Sequence, residues 1–185
     1  MKRGHLILVI GITMVSIATA GLIAQSTKKI DSEGIANMIF ASAAIGKGQE
    51  GSAALKDSFT SGDAIYARCY FPGAIGAFSQ GEKCHLHLWV NGKVAWRGVY
   101  SGASLPDRTW DQIQLYIRNT GEDDFRGAIS NALDGLAAGD HEVQLVIVRD
   151  KFLKYKVVKK GAQVTQEAVY QPVNLSKGKF TYTVQ

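Results

Sequence analysis

The sequence predicts an all-β fold, an antiparallel β-sandwich with one short helix, preceded by a signal peptide. Apolar and polar residues alternate with a period of two in several short segments, which is typical of strands with one buried face. The chain contains 20 glycines but only 3 prolines, and this composition fits short strands joined by tight turns. Residues 1–20 have the order of charged, apolar and small residues that is typical of a secretory signal.

The N-terminal segment predicts export. It begins with the basic pair Lys2-Arg3 and continues with the apolar run Leu6–Ala18. Ala18-Thr19-Ala20 has the small-x-small pattern of a signal-peptidase site, so we expect cleavage after this triplet and release into the periplasm or the extracellular medium. The alternative is an inner-membrane anchor formed by residues 6–24, which carry no charge and are nearly long enough to span a bilayer.

The rest of the chain predicts a flexible leader and a single domain. Residues 21–34 form the predicted leader, because Gln25–Gly34 is polar. Residues 35–185 have about the length of one domain and can bury a core without depending on a disulfide. Removing Lys2-Arg3 changes the formal charge from +5 to +3 (5 − 2).

The chain's two cysteines, Cys69 and Cys84, lie in two segments of alternating pattern. The predicted inward sets are Ile65, Ala67, Cys69 and Phe71 in the first segment and Cys84, Leu86, Leu88 and Val90 in the second. Two inward cysteines on separate strands can face each other across a sandwich, so the sequence predicts a Cys69–Cys84 disulfide in an oxidising compartment. Closing a loop of this size stabilises a fold by about 3 kcal/mol in the chain-entropy model. The alternative is two buried thiols that pack as small hydrophobic groups.

Asn91-Gly92 predicts a hairpin with a two-residue type I′ turn, because both residues tolerate a positive φ. This turn places Trp89 opposite Val94 and His87 opposite Trp96, so both faces of the hairpin carry apolar side chains. Either the hairpin is covered on both sides or a β-bulge shifts its register. If the tryptophan face is the inner one, the cysteine of the first strand points away from the core and the disulfide prediction weakens.

The remaining strands are predicted from the same alternation. They lie at Met38–Ala41 as an edge strand, and at Thr109–Arg118, Glu142–Val148 and Lys179–Val184, with a further hairpin turning at Gly161. The apolar spacing of Ile35–Ile45 also fits a helix.

Residues 125–136 change to the three- and four-residue spacing of a helical face. Asp123 or Asp124 is the expected N-cap, and Gly139 is the expected end. A strand followed by one helical turn also fits this stretch.

The section Leu136–Val148 has the pattern Leu-x-x-Gly-Asp-His-x-Val-x-Leu-x-Ile-x. It resembles the late part of bacterial immunoglobulin-like and fibronectin-like domains, in which a Leu and a Gly-x-His turn precede a central strand. The strand rhythm of residues 59–184 is similar to that of a seven-strand sandwich of this kind. The resemblance implies an immunoglobulin-like sandwich and no particular activity, because such folds host many unrelated functions.

The candidate chemistry of the sequence is sparse, and we expect no enzyme, metal or cofactor. His85 and His87 share one strand face beside a cysteine, with His141 as a third candidate ligand, but zinc needs at least three protein ligands. The acidic run 122–124 lacks the spacing of a calcium loop. The sequence contains no Gly-x-Ser-x-Gly elbow, phosphate loop or His-Glu-x-x-His motif.

Two candidate binding surfaces remain. Tyr66, Arg68 and Tyr70 occupy the outward set of one strand and predict an aromatic platform for a sugar or a protein, unless a second layer covers them. Lys154 and Lys156 lie in a segment that alternates lysines with apolar residues; it predicts either a basic face for an acidic partner or an edge whose lysines block sheet-to-sheet pairing.

Taken as a whole, the sequence predicts an exported, non-catalytic interaction or structural protein of a bacterial envelope. The partner is expected to be an envelope protein or a polysaccharide, and export disfavours nucleic acid. A membrane is expected to be contacted only through the N-terminal segment, if that segment is not cleaved. The alternative function is a carbohydrate-binding module that uses exposed aromatic residues.

Overall fold

The computed structural model describes residues 27–76, 82–100, 109–121, 125, 127–161 and 163–185. Its elements are β1 (Ala36–Ala41), β2 (Ser58–Thr60), β3 (Ile65–Tyr70), β4 (Lys83–Val90), β5 (Lys93–Tyr100), β6 (Gln112–Arg118), α1 (Ala128–Asp134), β7 (Gly139–Lys160) and β8 (Gln163–Val184), with a 3-10 turn at Glu50–Ser52. The predicted β-rich fold with one short α-helix is therefore confirmed for these residues. The predicted signal peptide lies outside them.

The strands form one curled, mixed sheet in the order β5-β4-β7-β8-β1-β3-β6. One edge of β8 pairs with β7, and the other edge pairs first with β1 at Ser176 and then with β2 at Tyr182. Both of these last pairings are parallel, so the prediction of a purely antiparallel arrangement is corrected here. The physical reason is that β1 follows β8 for only two residues before it turns to pair with β3, which leaves the rest of the edge to β2. For the same reason β1 is a central strand rather than the predicted edge strand.

A single hydrophobic core fills the inside of the curl. Its largest fully buried side chains include Phe59, Leu86, Leu88, Leu115, Ile117, Leu145 and Tyr182, which come from both halves of the sheet. Helix α1 contacts β5 and β6, the two ends of the strand order, and buries Ile129 and Leu133 completely. The helix therefore covers the core where the sheet does not close on itself.

The limits of α1 differ from the prediction. The helix begins after Gly127, which has a φ of 76° and makes no side-chain cap, and it ends at Gly135 instead of Gly139. The predicted caps Asp123 and Asp124 lie outside the described residues. The helical alternative is confirmed for residues 128–134.

Gly178 marks the point at which β1 and β8 separate. A Cβ on this residue would lie 2.6 Å from Met38 Cβ and 2.8 Å from Phe40 Cε2. Phe40 also packs edge-on against Phe180, with 4.9 Å between the ring centroids. The core side chains of β1 therefore lie directly on the backbone of β8, and only glycine leaves room for them.

The β4–β5 hairpin has the predicted type I′ turn, with φ values of 49° at Asn91 and 76° at Gly92. A bulge between Leu88 and Trp89 shifts the register, so that Trp96 lies opposite Leu88 and not opposite His87. Trp96 thereby joins the core-facing side, where it packs edge-on against Phe125 at 5.3 Å. Of the two alternatives that the sequence left open for this hairpin, the structure therefore has the β-bulge that shifts the register.

Both cysteines face the core, as the alternation predicts. Cys69 on β3 and Cys84 on β4 are completely buried in the same cluster, and the structure carries them as thiols with no bond between the two sulfurs. Burial raises the pKa of the Cys84 thiol to about 12. The packing corresponds to the alternative of two small hydrophobic groups, and the disulfide stays a prediction.

The described part of the predicted leader contacts the sheet. Thr27 Oγ1 and Tyr70 OH share a hydrogen bond of 2.5 Å, and Lys28 Nζ lies 2.9 Å from Asp111 Oδ2. Lys177 on β8 pairs with Asp31 at 2.6 Å. These contacts place residues 27–31 at the end of the sheet where β1 begins.

Candidate functional site

The two C-terminal strands extend well beyond the body of the protein. Pairing of β4 with β7 stops at Asp150, and pairing of β1 with β8 starts at Ser176. In the part of the chain that the structure describes, residues 151–171 pair only with each other. We call these residues the hairpin arm. Its ten-residue first strand, 151–160, spans about 30 Å at the usual rise of an extended chain.

The hairpin arm has two chemically different faces. Its apolar face consists mainly of Phe152, Tyr155, Val157, Val164, Ala168 and Tyr170, and the register places Lys159 and Gln166 on the same side of the ribbon. Its basic face carries Lys151, Lys154, Lys156 and Lys160, together with Val158, Gln163, Thr165, Glu167, Val169 and Gln171. In an antiparallel pair, opposed residues share a face, so the register alone separates the two sets.

A β-bulge makes this separation possible. Phe152 and Tyr155 are three residues apart, which in a regular strand would put them on opposite faces. The register shifts between Phe152 and Lys154, so Leu153 is the extra residue and both aromatic rings lie on one side. The Phe152 ring packs edge-on against Tyr155 at 5.2 Å and against Tyr170 at 6.1 Å.

The apolar residues of the arm are unusually accessible. Leu153, Tyr155, Val157 and Val164 have exposed fractions between 50% and 63%. Single exposed apolar residues are normal on protein surfaces, but a contiguous exposed patch is typical of an interaction site. The hairpin arm therefore carries such an apolar patch, although it has no hydrophobic core of its own.

The arm also carries most of the protein's formal charge. It contains five lysines (Lys151, Lys154, Lys156, Lys159 and Lys160) and one acidic residue, Glu167, which gives +4 (5 − 1) of the total +5. Lys160 Nζ lies 3.2 Å from Glu167 Oε1, and both side chains are exposed. The remaining 164 residues are therefore close to neutral.

A cluster of charged groups fixes the base of the arm. Glu82 accepts hydrogen bonds from Arg149 Nη2 at 2.5 Å and from the Phe152 backbone N–H at 2.8 Å. Arg149 Nη1 also donates to the Ile75 carbonyl at 2.6 Å. His85 Nε2 donates to the Asp150 carboxylate at 2.6 Å. These bonds hold β7 to the body just before it leaves the sheet.

Of the residues predicted from sequence to bind a partner, Lys154 and Lys156 lie exposed on the basic face of the arm. At the predicted platform of Tyr66, Arg68 and Tyr70, the structure corresponds to the alternative in which the side chains are covered, at least for the last two residues. Arg68 and Tyr70 are 6% and 4% exposed. The Arg68 guanidinium donates to the Ile45 carbonyl, and burial lowers its pKa.

Tyr66 is half-buried, and its ring packs edge-on against Tyr116 at 5.7 Å. Burial also raises the pKa of the Tyr70 hydroxyl. These tyrosines and Arg68 therefore do not present a flat exposed surface to a sugar.

Two of the three described histidines, His85 and His141, have hydrogen-bond partners within the fold. His85 is paired with Asp150, and His141 Nε2 donates to the Ala137 carbonyl at 2.8 Å while Nδ1 accepts from Asn91 at 3.1 Å. Burial, followed by the charge of Arg97, lowers the pKa of His87. Across the described ranges, no group of three or more metal-ligating side chains comes together.

A surface groove lies at the opposite end of β7 from the arm. It is lined by polar groups of β7 and β8 and by the residues that precede β2, including Asp57, Asp140, His141, Glu142 and Lys179. Glu142 and Lys179 pair at 2.9 Å, and Asp140 accepts a 2.6 Å hydrogen bond from Thr183. The lining groups are thus largely engaged with each other.

The predicted hairpin that turns at Gly161 is confirmed, because β7 and β8 pair on either side of this residue. The register that joins the two strands, and with it the division of the arm into two faces, cannot be seen in either strand alone.

No protein-family model matches the chain, and a search of curated proteins finds no match. No helix among the described residues is both long enough and apolar enough to cross a bilayer.

Proposed function

We propose that this protein is an exported, non-catalytic interaction protein of the bacterial envelope and that the hairpin arm is its binding element. The observation that carries the proposal is the arm's exposed apolar face, backed by a basic face with most of the formal charge. Apolar side chains left in water on an isolated ribbon do not stabilise the fold to which they belong. They do stabilise a complex that covers them.

The proposal of export rests on the N-terminal sequence. Lys2-Arg3, the apolar run 6–18 and the triplet Ala18-Thr19-Ala20 have the order of a secretory signal. Cleavage releases the protein into the periplasm or the medium, whereas retention makes residues 6–24 an inner-membrane anchor. In either case the domain operates outside the cytoplasm.

We also propose that the curled sheet is a variant of the immunoglobulin-like sandwich. One core lies between its two halves, and β3 and β4 each contribute one inward cysteine to it. In an oxidising compartment the two thiols form the predicted Cys69–Cys84 bond. The body is then a rigid support from which the arm projects.

The alternative of a carbohydrate-binding module has weaker support. The exposed aromatic rings of the arm are Tyr155 and Tyr170, and both meet Phe152 edge-on, at interplanar angles of 62° and 72°. Sugar rings stack on flat aromatic surfaces, and rings inclined in this way do not form a shared plane.

Site-specific photo-crosslinking in the cells that make the protein tests the proposal. The photoreactive residue p-benzoylphenylalanine replaces Tyr155 on the arm in one variant and, in the control, Lys93, which follows the exposed Asn91-Gly92 turn at the far end of the body. We expect specific adducts from the arm position and none from the control. Equal adduct patterns at the two positions would contradict the assignment of the arm as the binding element.

A further inference from the structure

The arm combines two properties that narrow the chemistry of its partner. Its net charge of +4 requires an anionic partner. Its apolar face, with Tyr155, Val157 and Val164 each more than half exposed, requires a partner that also removes apolar area from water. An acidic polysaccharide satisfies the first requirement only, and the proposed export disfavours a nucleic acid.

From these observations we infer that the hairpin arm binds the surface of an anionic phospholipid bilayer. The inference rests on the proposed function, in which the arm is the binding element. The apolar face lies in the boundary between headgroups and acyl chains, where tyrosine is a favoured side chain. The lysines lie at the level of the phosphates.

The geometry of the arm suits this arrangement. An interfacial element needs a large difference in polarity between its two faces, as amphipathic helices show. The arm has such a difference across two strands about 5 Å apart, although Lys159 and Gln166 interrupt its apolar face and Val158 and Val169 interrupt its basic face. Lysine side chains on the far face are long and flexible enough to extend past so narrow a ribbon to the phosphates. Lys159, near the tip, already lies on the apolar side opposite Val164.

A second copy of the chain is a poorer partner. Two arms that meet by their apolar faces bring two charges of +4 together, and like charges across an interface oppose association. Close contact between two arms is therefore disfavoured by charge, whereas contact with an anionic surface is favoured by it.

The position of the N-terminal residues also supports a bilayer as the partner. β1 runs parallel to β8 and begins beside Ser176, so its start and the arm lie at the same end of the sheet. The preceding residues also lie at this end, where Lys28 pairs with Asp111 and Asp31 pairs with Lys177. If the apolar segment 6–24 is retained as an anchor, a bilayer at this end would be next to both the arm and the chain that leads to that segment.

Lysine footprinting of the full chain tests the inference. The protein is reconstituted with vesicles of phosphatidylcholine alone or of phosphatidylcholine and phosphatidylglycerol in equal parts. It is then briefly acetylated, and the rate at each lysine is measured by mass spectrometry. Lys93, at the far end of the body, is the internal reference, so the readout is local and does not depend on how the N-terminal segment interacts with lipid.

We expect the anionic vesicles to slow acetylation of Lys154, Lys156 and Lys160 relative to Lys93, and the neutral vesicles to have no such effect. Each lysine near an anionic surface contributes about fivefold to binding, so the double variant Lys154→Gln/Lys156→Gln should bind about 30-fold more weakly. Added salt should weaken the protection in the same direction.

The apolar face is tested by a matched pair of variants. Tyr155→Ser/Val157→Ser removes apolar groups from the arm and should reduce protection of Lys160 in the anionic vesicles. Val94→Ser/Val99→Ser removes exposed valines from β5 and should leave protection unchanged. Equal loss in both pairs would contradict the inference.

Two further outcomes would overturn it. Equal acetylation of the arm lysines in both kinds of vesicle would exclude an anionic bilayer. Protection that appears without vesicles and grows with protein concentration would identify a second copy as the partner. If either occurs while Tyr155 still crosslinks specifically in cells, the proposed function stands and only the lipid assignment fails.

Discussion

Replacing Gly178 by alanine tests whether the close approach of β1 to β8 shapes the core. The added Cβ would lie 2.6 Å from Met38 Cβ, whereas carbon atoms in good contact are about 3.5–4.0 Å apart. Met38 Cβ is fixed to its backbone, so relief requires the two strands to move apart by about 1 Å. Overpacking of this kind destabilises folded proteins by about 1–3 kcal/mol.

Alanine also restricts the unfolded chain, which offsets about 0.4–1 kcal/mol of this loss. We therefore expect Gly178→Ala to lower the free energy of unfolding by about 1–2 kcal/mol, and the melting temperature of a domain of this size by about 2–8 °C. The matched control is Gly62→Ala, because a Cβ there meets nothing within 4 Å and its backbone is not left-handed. This variant should be as stable as the wild type or slightly more stable.

Urea denaturation followed by tryptophan fluorescence measures both variants against the wild type. The reasoning fails if Gly178→Ala unfolds at the wild-type urea concentration, since β1 and β8 would then have room for a side chain. It also fails if the two variants lose stability equally, because the loss would come from alanine in general and not from the contact with Met38.

Three further predictions concern charge and thiol chemistry. Glu82→Ala leaves the Arg149 guanidinium, only 18% exposed, without its carboxylate and should destabilise the protein by about 3 kcal/mol in thermal unfolding; a change below 1 kcal/mol would show that the pair is dispensable. The Thr60 backbone N–H and, after it, Lys56 hold the pKa of Asp63 below its usual value. The ionised Asp63 carboxylate therefore stabilises the fold at pH values above its unfolded-state pKa, and this stabilisation is lost on acidification. Asp63→Asn should therefore flatten the fall in melting temperature below about pH 4, and an unchanged acid profile would refute this. As thiols, both cysteines should react with iodoacetamide only after unfolding, whereas resistance that persists in denaturant until reduction would establish the predicted disulfide.

Local patterns in the sequence predicted the parts of the fold that local physics determines. The alternation around Cys69 and Cys84 identified which side chains face the core, and Asn91-Gly92 identified a hairpin turn. Each of these features depends on residues that are close together in the chain, where the period of two and the need for a positive φ are directly visible.

Features that depend on distant residues could not be predicted in this way. The parallel pairing of β1 and β2 with β8 joins residues more than 120 positions apart, and neither strand carries a mark of its partner. Arg68 looked like an exposed charge because its partner, the Ile45 carbonyl, belongs to a separate loop. The bulge that turns Trp96 inward was open as an alternative, but only the packing of the tryptophan against Phe125 decides between the two registers.

The hairpin arm likewise could be predicted from the sequence only in part. Alternating lysines and apolar residues predicted an extended basic segment, which is a property of one strand. That the segment leaves the body depends on where β4 and β1 stop pairing, and this is a property of the whole sheet. A strand pattern therefore does not reveal whether both of its faces are exposed.

The central place of β8 has a consequence for the order in which the chain folds. This strand follows the other described strands in the chain, yet it lies between β7 on one edge and β1 and β2 on the other, and Ser176 donates to the carbonyl of Asn37, 139 residues earlier. Until β8 has been synthesised, the strand groups β5-β4-β7 and β1-β3-β6 have no strand to join them, and closing so distant a contact is slow. Along the proposed export route, late joining of the two groups would favour a polypeptide that is still incompletely folded when it is threaded through a translocation channel.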